Sequence, residues 1–323
     1  MKESSKPEGS EPSSKPNDSG DTARDGRRAL AKSTLEIIDA GYYTIGSDKY
    51  DIGPQINGML SGTRYYAPDS FLSQWSRPTS TGNQARDKVT EVSIFEISTL
   101  SCADYLSSHP YVEPPDPKKS RRRVGVLNFA SAKKPGGGFR SGAQAQEESI
   151  ARSSTLYRSL ISTKGVEFYD HHNKDPKGGY YSHAMIFSPH VTLFRTDGGE
   201  LTSPLEIDVV TSAAVNAGVA RQTLQGKIAG EGEEVKIGKV MKERMSRILF
   251  LFEHHGIRDL VLGSFGTGVF QNKVPLIAAI WAELLVAPDA RFTNSFDRVA
   301  FAILGHSTFE EFKRAFEERQ SAE

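Results

Sequence analysis

Val124-Gly125-Val126-Leu127-Asn128-Phe129-Ala130 leads to Pro135-Gly136-Gly137-Gly138 and, after seven residues, to Gln146-Glu147-Glu148. The first run is short and apolar, the pattern of a central strand buried on both faces. The glycine loop at its carboxyl end has no β-carbons, so it can adopt positive φ and lie against a ligand. Paired carboxylates then open a helix-like segment. A globular fold rarely requires either feature for stability, and their succession marks a candidate site. A similar layout returns later, where the buried strand Asp259-Leu260-Val261-Leu262 runs into Gly263-Ser264-Phe265-Gly266-Thr267-Gly268.

Outward from these two strands, residues 27–40 predict a helix with Leu30, Leu35, Ile37 and Ile38 on an apolar face, stopped by Gly41. Residues 42–66 predict a hairpin or extended arm, with turns at Gly46-Ser47 and Gly53-Pro54. A strand is expected over 89–98 and a short helix over 101–106. Residues 149–162 predict a helix, 183–194 a β-rich stretch bent at Pro189, and 207–210 a short strand. Amphipathic spacing predicts a helix over 239–255, and another over 274–286 with Pro275 in its first turn. A last strand (298–304) and a terminal helix (309–319) complete the pattern, and no repeat is visible. Strands alternating with helices predict an α/β layered fold, helices on both faces of a largely parallel sheet. Ligands in such sheets sit beyond the carboxyl ends of the strands, where both glycine loops are expected.

Composition narrows the function. The 323 residues can hold one large α/β domain or two small ones. Lys plus Arg equals Asp plus Glu at 40 each, so no global field draws the chain toward nucleic acid or membrane. Any polyanion it handles must be held by a local site. Cys102 is the single cysteine, which excludes an intramolecular disulfide and fits a reducing intracellular compartment, nucleus or cytoplasm, although a cysteine-poor secreted protein looks similar. Residues 1–26 are polar, lack the apolar core of a signal peptide and read as a disordered tail before a domain over 27–323. No apolar run of about 18 residues suggests a membrane span. Lys118-Lys119-Ser120-Arg121-Arg122-Arg123 reads as a solvated loop or a nuclear import signal.

The second glycine loop lacks the Gly-Lys-Ser/Thr of a P-loop and does not complete a dinucleotide fingerprint. Its backbone N–H groups beside a helix start nevertheless suit an anion. Two such loops fit a ligand with a central diphosphate and a sugar at one end, with the glutamates near the sugar. Glycoside chemistry needs a proton for the leaving oxygen and a base for water, and one carboxyl can serve both in turn. The alternative is that Glu147 and Glu148 merely favour a helix N-terminus. An upward shift of a carboxyl pKa by burial, like charge and a ligand diphosphate is expected to compete with the helix dipole. His171-His172 and His254-His255 read as loop or helix-end residues, Cys102 as a packed thiol, and no metal site is expected. Phe139 and Phe270, inside the loops, are candidates for a ribose or adenine contact.

Gly136-Gly137-Gly138, seven residues, Gln146-Glu147-Glu148 resembles the signature of poly(ADP-ribose) glycohydrolases. The text from Val126 through Pro135 to Ser154-Leu156-Tyr157 resembles the bacterial-type branch, with further similarity in 31–41, 186–195, 207–216 and 263–272. The resemblance covers roughly residues 27–305. It implies a three-layer α/β/α macrodomain, with a mixed, largely parallel central sheet and an N-terminal helical extension. It also implies hydrolysis of ribose–ribose O-glycosidic bonds in poly(ADP-ribose), from the chain end, releasing ADP-ribose, in ADP-ribosylation turnover and the DNA damage response. By residue, Glu148 matches the catalytic glutamate and Glu147 the neighbour that positions the substrate ribose. Asn128, Gly136, Gly137 and Gly138 match the terminal-ribose wall, and Gln146 supports the glutamates. Gly266, Thr267, Gly268, Val269 and Phe270 match the diphosphate loop, Phe270 holding the terminal ribose. Thr267 departs from the cysteine usual in relatives. The implied partners are poly(ADP-ribose) and ADP-ribosylated proteins, met by a monomer without cofactor or metal. The competing readings are a macrodomain that binds ADP-ribose or removes a single ADP-ribose from protein, and a non-enzymatic scaffold.

Overall fold

The computed structural model of the chain describes residues 18–77, 88–109, 123–174 and 178–321. Its first half runs α1 (Asp18–Ala40), β1 (Tyr42–Ile45), β2 (Asp48–Asp51), α2 (Gly53–Gly62), β3 (Arg64–Tyr66), β4 (Glu91–Phe95), α3 (Thr99–Ser108) and β5 (Val124–Phe129). Then come α4 (Gln146–Ser153), α5 (Leu156–Leu160), α6 (Thr163–Lys174), β6 (Met185–Arg195) and β7 (Leu201–Ser212). The last part holds α7 (Ala217–Gln222), α8 (Leu224–Ala229), α9 (Glu231–His254), β8 (Asp259–Leu262), α10 (Val274–Leu285), β9 (Arg298–Ala302) and α11 (His306–Ser321).

Seven strands form one sheet in the order β3-β6-β7-β5-β8-β9-β4, and β1 pairs with β2 in a separate hairpin. β7, β5, β8, β9 and β4 are mutually parallel, whereas β3 and β7 flank β6 antiparallel. Alternation along the strands divides the core. Leu127, Leu260, Leu262, Val299 and Phe301 face α9, α10 and α11. Val124, Val126, Val261 and Ala300 face the opposite layer, where α2, α3, α4 and α6 contribute Ile56, Cys102, Ile150 and Phe168. The result is the expected three-layer sandwich, with β5 at its centre and the carboxyl ends of β5 and β8 side by side.

Several local expectations change. α1 begins at Asp18, nine residues before the predicted start at Arg27, so part of the segment read as a disordered tail is helical. Gly53-Pro54 opens α2 instead of turning a hairpin, because a proline in the first helical turn forfeits no hydrogen bond. The helix expected over 149–162 breaks at Ser154-Thr155: Ser154 bridges to Leu193, and Thr155 exchanges N–H bonds with Thr192 at 3.0 Å each way. α6, α7 and α8 were not foreseen. β7 is three times the predicted length because its first half, partly buried and with only Leu201 and Leu205 apolar, shows no continuous apolar run yet pairs with β6. The bend expected near Pro189 is a register shift between Ser188 and Val191, with His190 at φ 55. The basic run over 118–122 lies outside the described residues. Among the described residues, no helix is long and apolar enough to cross a membrane.

Gly125 is the tightest point of the central strand. A β-carbon there would lie 2.7 Å from Phe252 and 2.8 Å from Ile257 and Leu260. Gly125→Ala is expected to cost about 1–3 kcal/mol by overpacking, read as a lower Tm with the far-ultraviolet spectrum unchanged.

Candidate active site

The chain leaves β5 at Phe129, turns back through the glycine loop and re-enters as α4, whose first residues are Gln146, Glu147 and Glu148. Gln146 closes this circuit. Its Nε2 donates to the Leu127 carbonyl at 2.7 Å and its Oε1 accepts from the Phe129 N–H at 2.8 Å. A side-chain amide thus continues the strand's hydrogen bonding and seats the first turn of α4 on the end of β5. The resemblance gave Gln146 a supporting role; its side chain bonds the strand backbone and, at 3.3 Å, Thr99 Oγ1 of α3.

Glu147 points inward and is 2% exposed. Its Oε2 accepts from the Ser131 N–H at 2.7 Å, and its Oε1 accepts from Asn128 Nδ2 at 3.3 Å. Asn128, fully buried on β5, also donates to Thr211 Oγ1 at 3.2 Å. Burial is the main reason the Glu147 carboxyl is raised to about 8; the Ser131 N–H and the Asn128 amide oppose it, and the adjacent Glu148 charge adds to it. The upward shift expected for a carboxyl of this site is found at Glu147. Tyr169, fully buried on α6, lies near enough that Glu147 adds to the upward push burial gives its phenol.

Glu148 is held differently. Its Oε1 accepts from the Gly138 N–H at 2.8 Å, and its Oε2 has no partner among the described residues. The glycines make that contact possible. Gly137 has φ +57, and a β-carbon there would overlap Glu148 Oε1 and lie 3.1 Å from Glu147 Oε2. Gly136, at φ +65, is packed against Phe139 and Tyr157, and a β-carbon on Gly138 would fall 2.7 Å from that of Ala143. Phe139, considered for a ligand contact, is instead 1% exposed and packs with Tyr157, Ala31 and Ala151. It anchors the loop from behind.

The second loop follows β8, the neighbour of β5, and the two are joined by the rings of Phe129 and Phe265 at 5.6 Å. Gly266 has φ +77, and a β-carbon there would lie 2.8 Å from Asn272 Nδ2. Asn272 Nδ2 donates to the carbonyls of Val215 at 2.7 Å and Gly266 at 3.0 Å, clamping the loop to the chain leaving β7. The sequence reading took Asn272 only as the loop's boundary. Thr267 Oγ1 donates to the Ser264 carbonyl at 2.9 Å, so the side chain that replaces the usual cysteine braces the turn. The N–H groups of Gly266, Gly268, Val269 and Phe270 have no acceptor among the described residues, and Val269 is 82% exposed at the tip. Phe270 is half-buried with its ring 5.9 Å from that of Tyr181, a residue at φ 52 that the sequence reading missed.

His172, His255 and Cys102 all have packing partners in the fold. His172 is buried against Ser182, and His255 stacks on Phe187 at 3.6 Å while meeting Tyr66 Oη at 2.9 Å. Burial pushes the thiol of Cys102, on the core side of α3, up to about 12. Among the described residues, no group of three or more His, Cys, Asp or Glu is placed to hold a metal ion.

Two outcomes follow. Gly137→Ala should fold, with backbone strain of about 1–3 kcal/mol, yet displace Glu148 and lower turnover at least about 100-fold, measured beside Tm. For Glu147, the folded pKa near 8 lies above that of an ordinary glutamate, so the folded state binds more protons and this residue's contribution falls from pH 4.5 to 8. Glu147→Gln should therefore gain Tm relative to the wild type more at pH 8 than at pH 5; a difference independent of pH would contradict the shift.

The family model "Microbial-type PARG, catalytic domain" matches residues 31–196, slightly more than half of the chain and including the first loop and both glutamates. No curated protein matches. Among solved structures, the poly(ADP-ribose) glycohydrolase of Thermomonospora curvata is 34% identical, with a TM-score of 0.77 over 91% of this chain and 99% of that one. The same enzyme bound to the inhibitor ADP-HPD aligns at 34% identity and a TM-score of 0.75 over the same shares. The Deinococcus radiodurans enzyme in complex with ADP-ribose is 30% identical, with a TM-score of 0.68 over 83% of this chain and 98% of that one. With the signature loop, the glutamate pair and the sheet order all in place, the chain belongs to the family of microbial-type poly(ADP-ribose) glycohydrolases.

Proposed function

We infer that the chain is a poly(ADP-ribose) glycohydrolase that acts at the polymer's end, with Glu148 as its acid and base. The observation that carries the residue assignment is the asymmetry of the two carboxylates. Glu147 has both oxygens bonded to protein donors, whereas Glu148 has one oxygen fixed by Gly138 and the other without a partner. A group that must give up and recover a proton needs an oxygen directed at substrate.

The protonated Glu148 carboxyl donates its proton to the leaving ribose oxygen as the bond from that oxygen to the anomeric carbon breaks. The sugar passes through an oxocarbenium-like transition state, water attacks the anomeric carbon, and the Glu148 carboxylate takes the proton water loses. Gly136, Gly137 and Gly138 let the loop pack against Phe139, Glu148 and Ala143, where β-carbons would collide, and leave a backbone without side chains for the ribose to approach. Glu147, kept in place by Asn128 and Ser131, binds the ribose hydroxyls; its raised pKa favours a protonated carboxyl near neutrality, sparing Glu148 a fixed like charge. The N–H groups of Gly266, Gly268, Val269 and Phe270, which have no acceptor among the described residues, hold the diphosphate, and Phe270 packs on the terminal ribose. Thr267 leaves those N–H groups free because its hydroxyl is turned into the loop.

Substrate and product follow from the relatives, of which one is seen with ADP-ribose and another with ADP-HPD. We take α1 through α11 as one catalytic unit, and the lone buried cysteine supports action inside the cell, in nucleus or cytoplasm. Labelled poly(ADP-ribose) provides the test. Wild type should release ADP-ribose, and Glu148→Gln should lower that rate by at least about 10²–10⁴ from lost acid–base catalysis while binding ADP-ribose. Binding of ADP-ribose with the polymer left intact would make the protein a reader or a mono-ADP-ribosyl hydrolase instead.

A further inference from the structure

The N–H groups of Gly266, Gly268, Val269 and Phe270 have no acceptor among the described residues. A loop that forgoes those hydrogen bonds has little of its own to stiffen it, so its shape has to be fixed from outside. Its last two peptide groups are held at both ends. Within the loop, the Gln271 N–H donates to the Gly268 carbonyl at 2.9 Å and the Asn272 N–H to the Gly266 carbonyl at 3.1 Å. On the other side of the same peptides, the Phe270 carbonyl accepts from the Gly218 N–H at 3.2 Å, and the Gln271 carbonyl accepts from Arg221 Nη1 at 2.8 Å. Both outer partners belong to α7. Between these peptides Gln271 sits at φ 56, a left-handed conformation that a residue with a side chain keeps only where its surroundings over-determine it.

Arg221 is itself oriented. Its Nε and Nη2 donate to the two oxygens of Glu234, near the start of α9, at 2.6 and 3.3 Å, a two-point pairing that sets the plane of the guanidinium. Lys273, just after the loop, meets Glu234 Oε2 at 3.0 Å. The hydrogen bond from Arg221 holds the Glu234 carboxyl below its ordinary value, with partial burial opposing and Lys273 adding to the effect. The side chains of Arg221 and Glu234 are 31% and 25% exposed, so the pair contributes little to stability. Its consequence is geometric, because one guanidinium joins Glu234 to the carbonyl of the left-handed residue. A lysine offers a single nitrogen in place of that fork.

Donors already in place bind an anion without rearrangement. Where only a fraction of molecules holds the competent shape, the apparent Kd rises by the inverse of that fraction. We propose that Arg221, oriented by Glu234, is a positioning residue that holds the second glycine loop in its diphosphate-binding shape. This role rests on the polymer-hydrolase reading above, in which residues 266–270 hold the diphosphate. Its effect falls on binding. Arg221 grips the loop after β8, whereas the loop after β5 holds the acid, so the chemical step should change little. Removal of Glu234 separates geometry from charge. A bare cation at Arg221 would attract the diphosphate more strongly once its counter-charge is gone. An oriented clamp would instead lose its alignment, and the ligand would bind more weakly.

The full chain is compared with Arg221→Met, Arg221→Lys and Glu234→Ala, and with Lys242→Met as a control. Lys242 bridges at 2.6 Å to Glu283, in the last turn of α10, with exposure similar to that of the Arg221 pair. The Kd for ADP-ribose, the Tm, and kcat and KM on poly(ADP-ribose) are measured for each. If the competent loop falls to about one-tenth of molecules, Arg221→Met raises Kd and KM about tenfold, with kcat changed less than about threefold. Arg221→Lys should fall between Met and wild type, and Glu234→Ala should also weaken ADP-ribose binding. Lys242→Met should keep Kd within about twofold. Unchanged Kd in Arg221→Met overturns the proposal, and so does tighter binding in Glu234→Ala, which would make Arg221 a plain charge. A loss confined to kcat, or one that Lys242→Met reproduces with the same fall in Tm, overturns it as well. Binding is scored apart from turnover. Wild type that binds ADP-ribose and leaves polymer intact defeats the hydrolase reading, while the clamp is judged by Kd alone.

Discussion

Glu148 accepts a hydrogen bond from a backbone N–H at a place where no side chain fits. That contact constrains much of the architecture around it. The glycine loop must pass beneath the first turn of α4 at van der Waals distance, which requires positive φ at Gly136 and Gly137 and no β-carbon at Gly137. It also requires α4 to begin within reach of the end of β5, and Gln146 enforces this by bonding both to the Leu127 carbonyl and to the Phe129 N–H. Glu147 is then driven inward between Asn128 and Ser131, where the loss of water dominates its ionisation. One carboxylate is spent on order and burial, and the other keeps a free oxygen.

The remaining half of the site depends on strand adjacency. β5 and β8 are parallel neighbours, so their following loops emerge on the same side and can serve one ligand. The chain leaving β7 supports the second loop through Val215 and Asn272. That chain is held in turn by Arg244 of α9, fully buried, which donates to the carbonyls of Ala213 at 2.8 Å and Tyr180 at 2.9 Å. Burial, and after it the charge of Arg247, brings this guanidinium down to about 9. A cation kept in such surroundings is retained for the backbone it organises, here the two segments that carry Ala214 and Tyr181 beneath the second glycine loop.

The central elements were legible because their information is local. β5 and β8 read as buried runs, α9 and α10 carry apolar periodicity, and the triple glycine before two glutamates has few structural explanations. The misread elements are those in which long-range contacts override local preference. Residues 149–162 have the composition of one helix, yet Ser154 and Thr155 find strand partners at Leu193 and Thr192. The start of β7 carries only a weak apolar signal, Leu201 and Leu205 among polar residues, because it is half-buried and its extension depends on pairing with β6. The opening turns of α1 are too polar to suggest a fold by themselves, and they order against Ser141 and Gly142, more than a hundred residues away.

The sequence by itself determined the sheet's central strands, the two glycine loops and the identity of the acid pair, since strand burial, backbone freedom and carboxyl chemistry are written in residue type and spacing. Tertiary structure alone decided which carboxylate keeps a free oxygen, that Phe139 anchors the loop from behind while Phe270 stays half-open, and that α1 brings its arginines to the loop. The physical reason is that burial and hydrogen-bond partnership depend on which distant segments meet, and adjacent residues as alike as Glu147 and Glu148 differ only in what surrounds them.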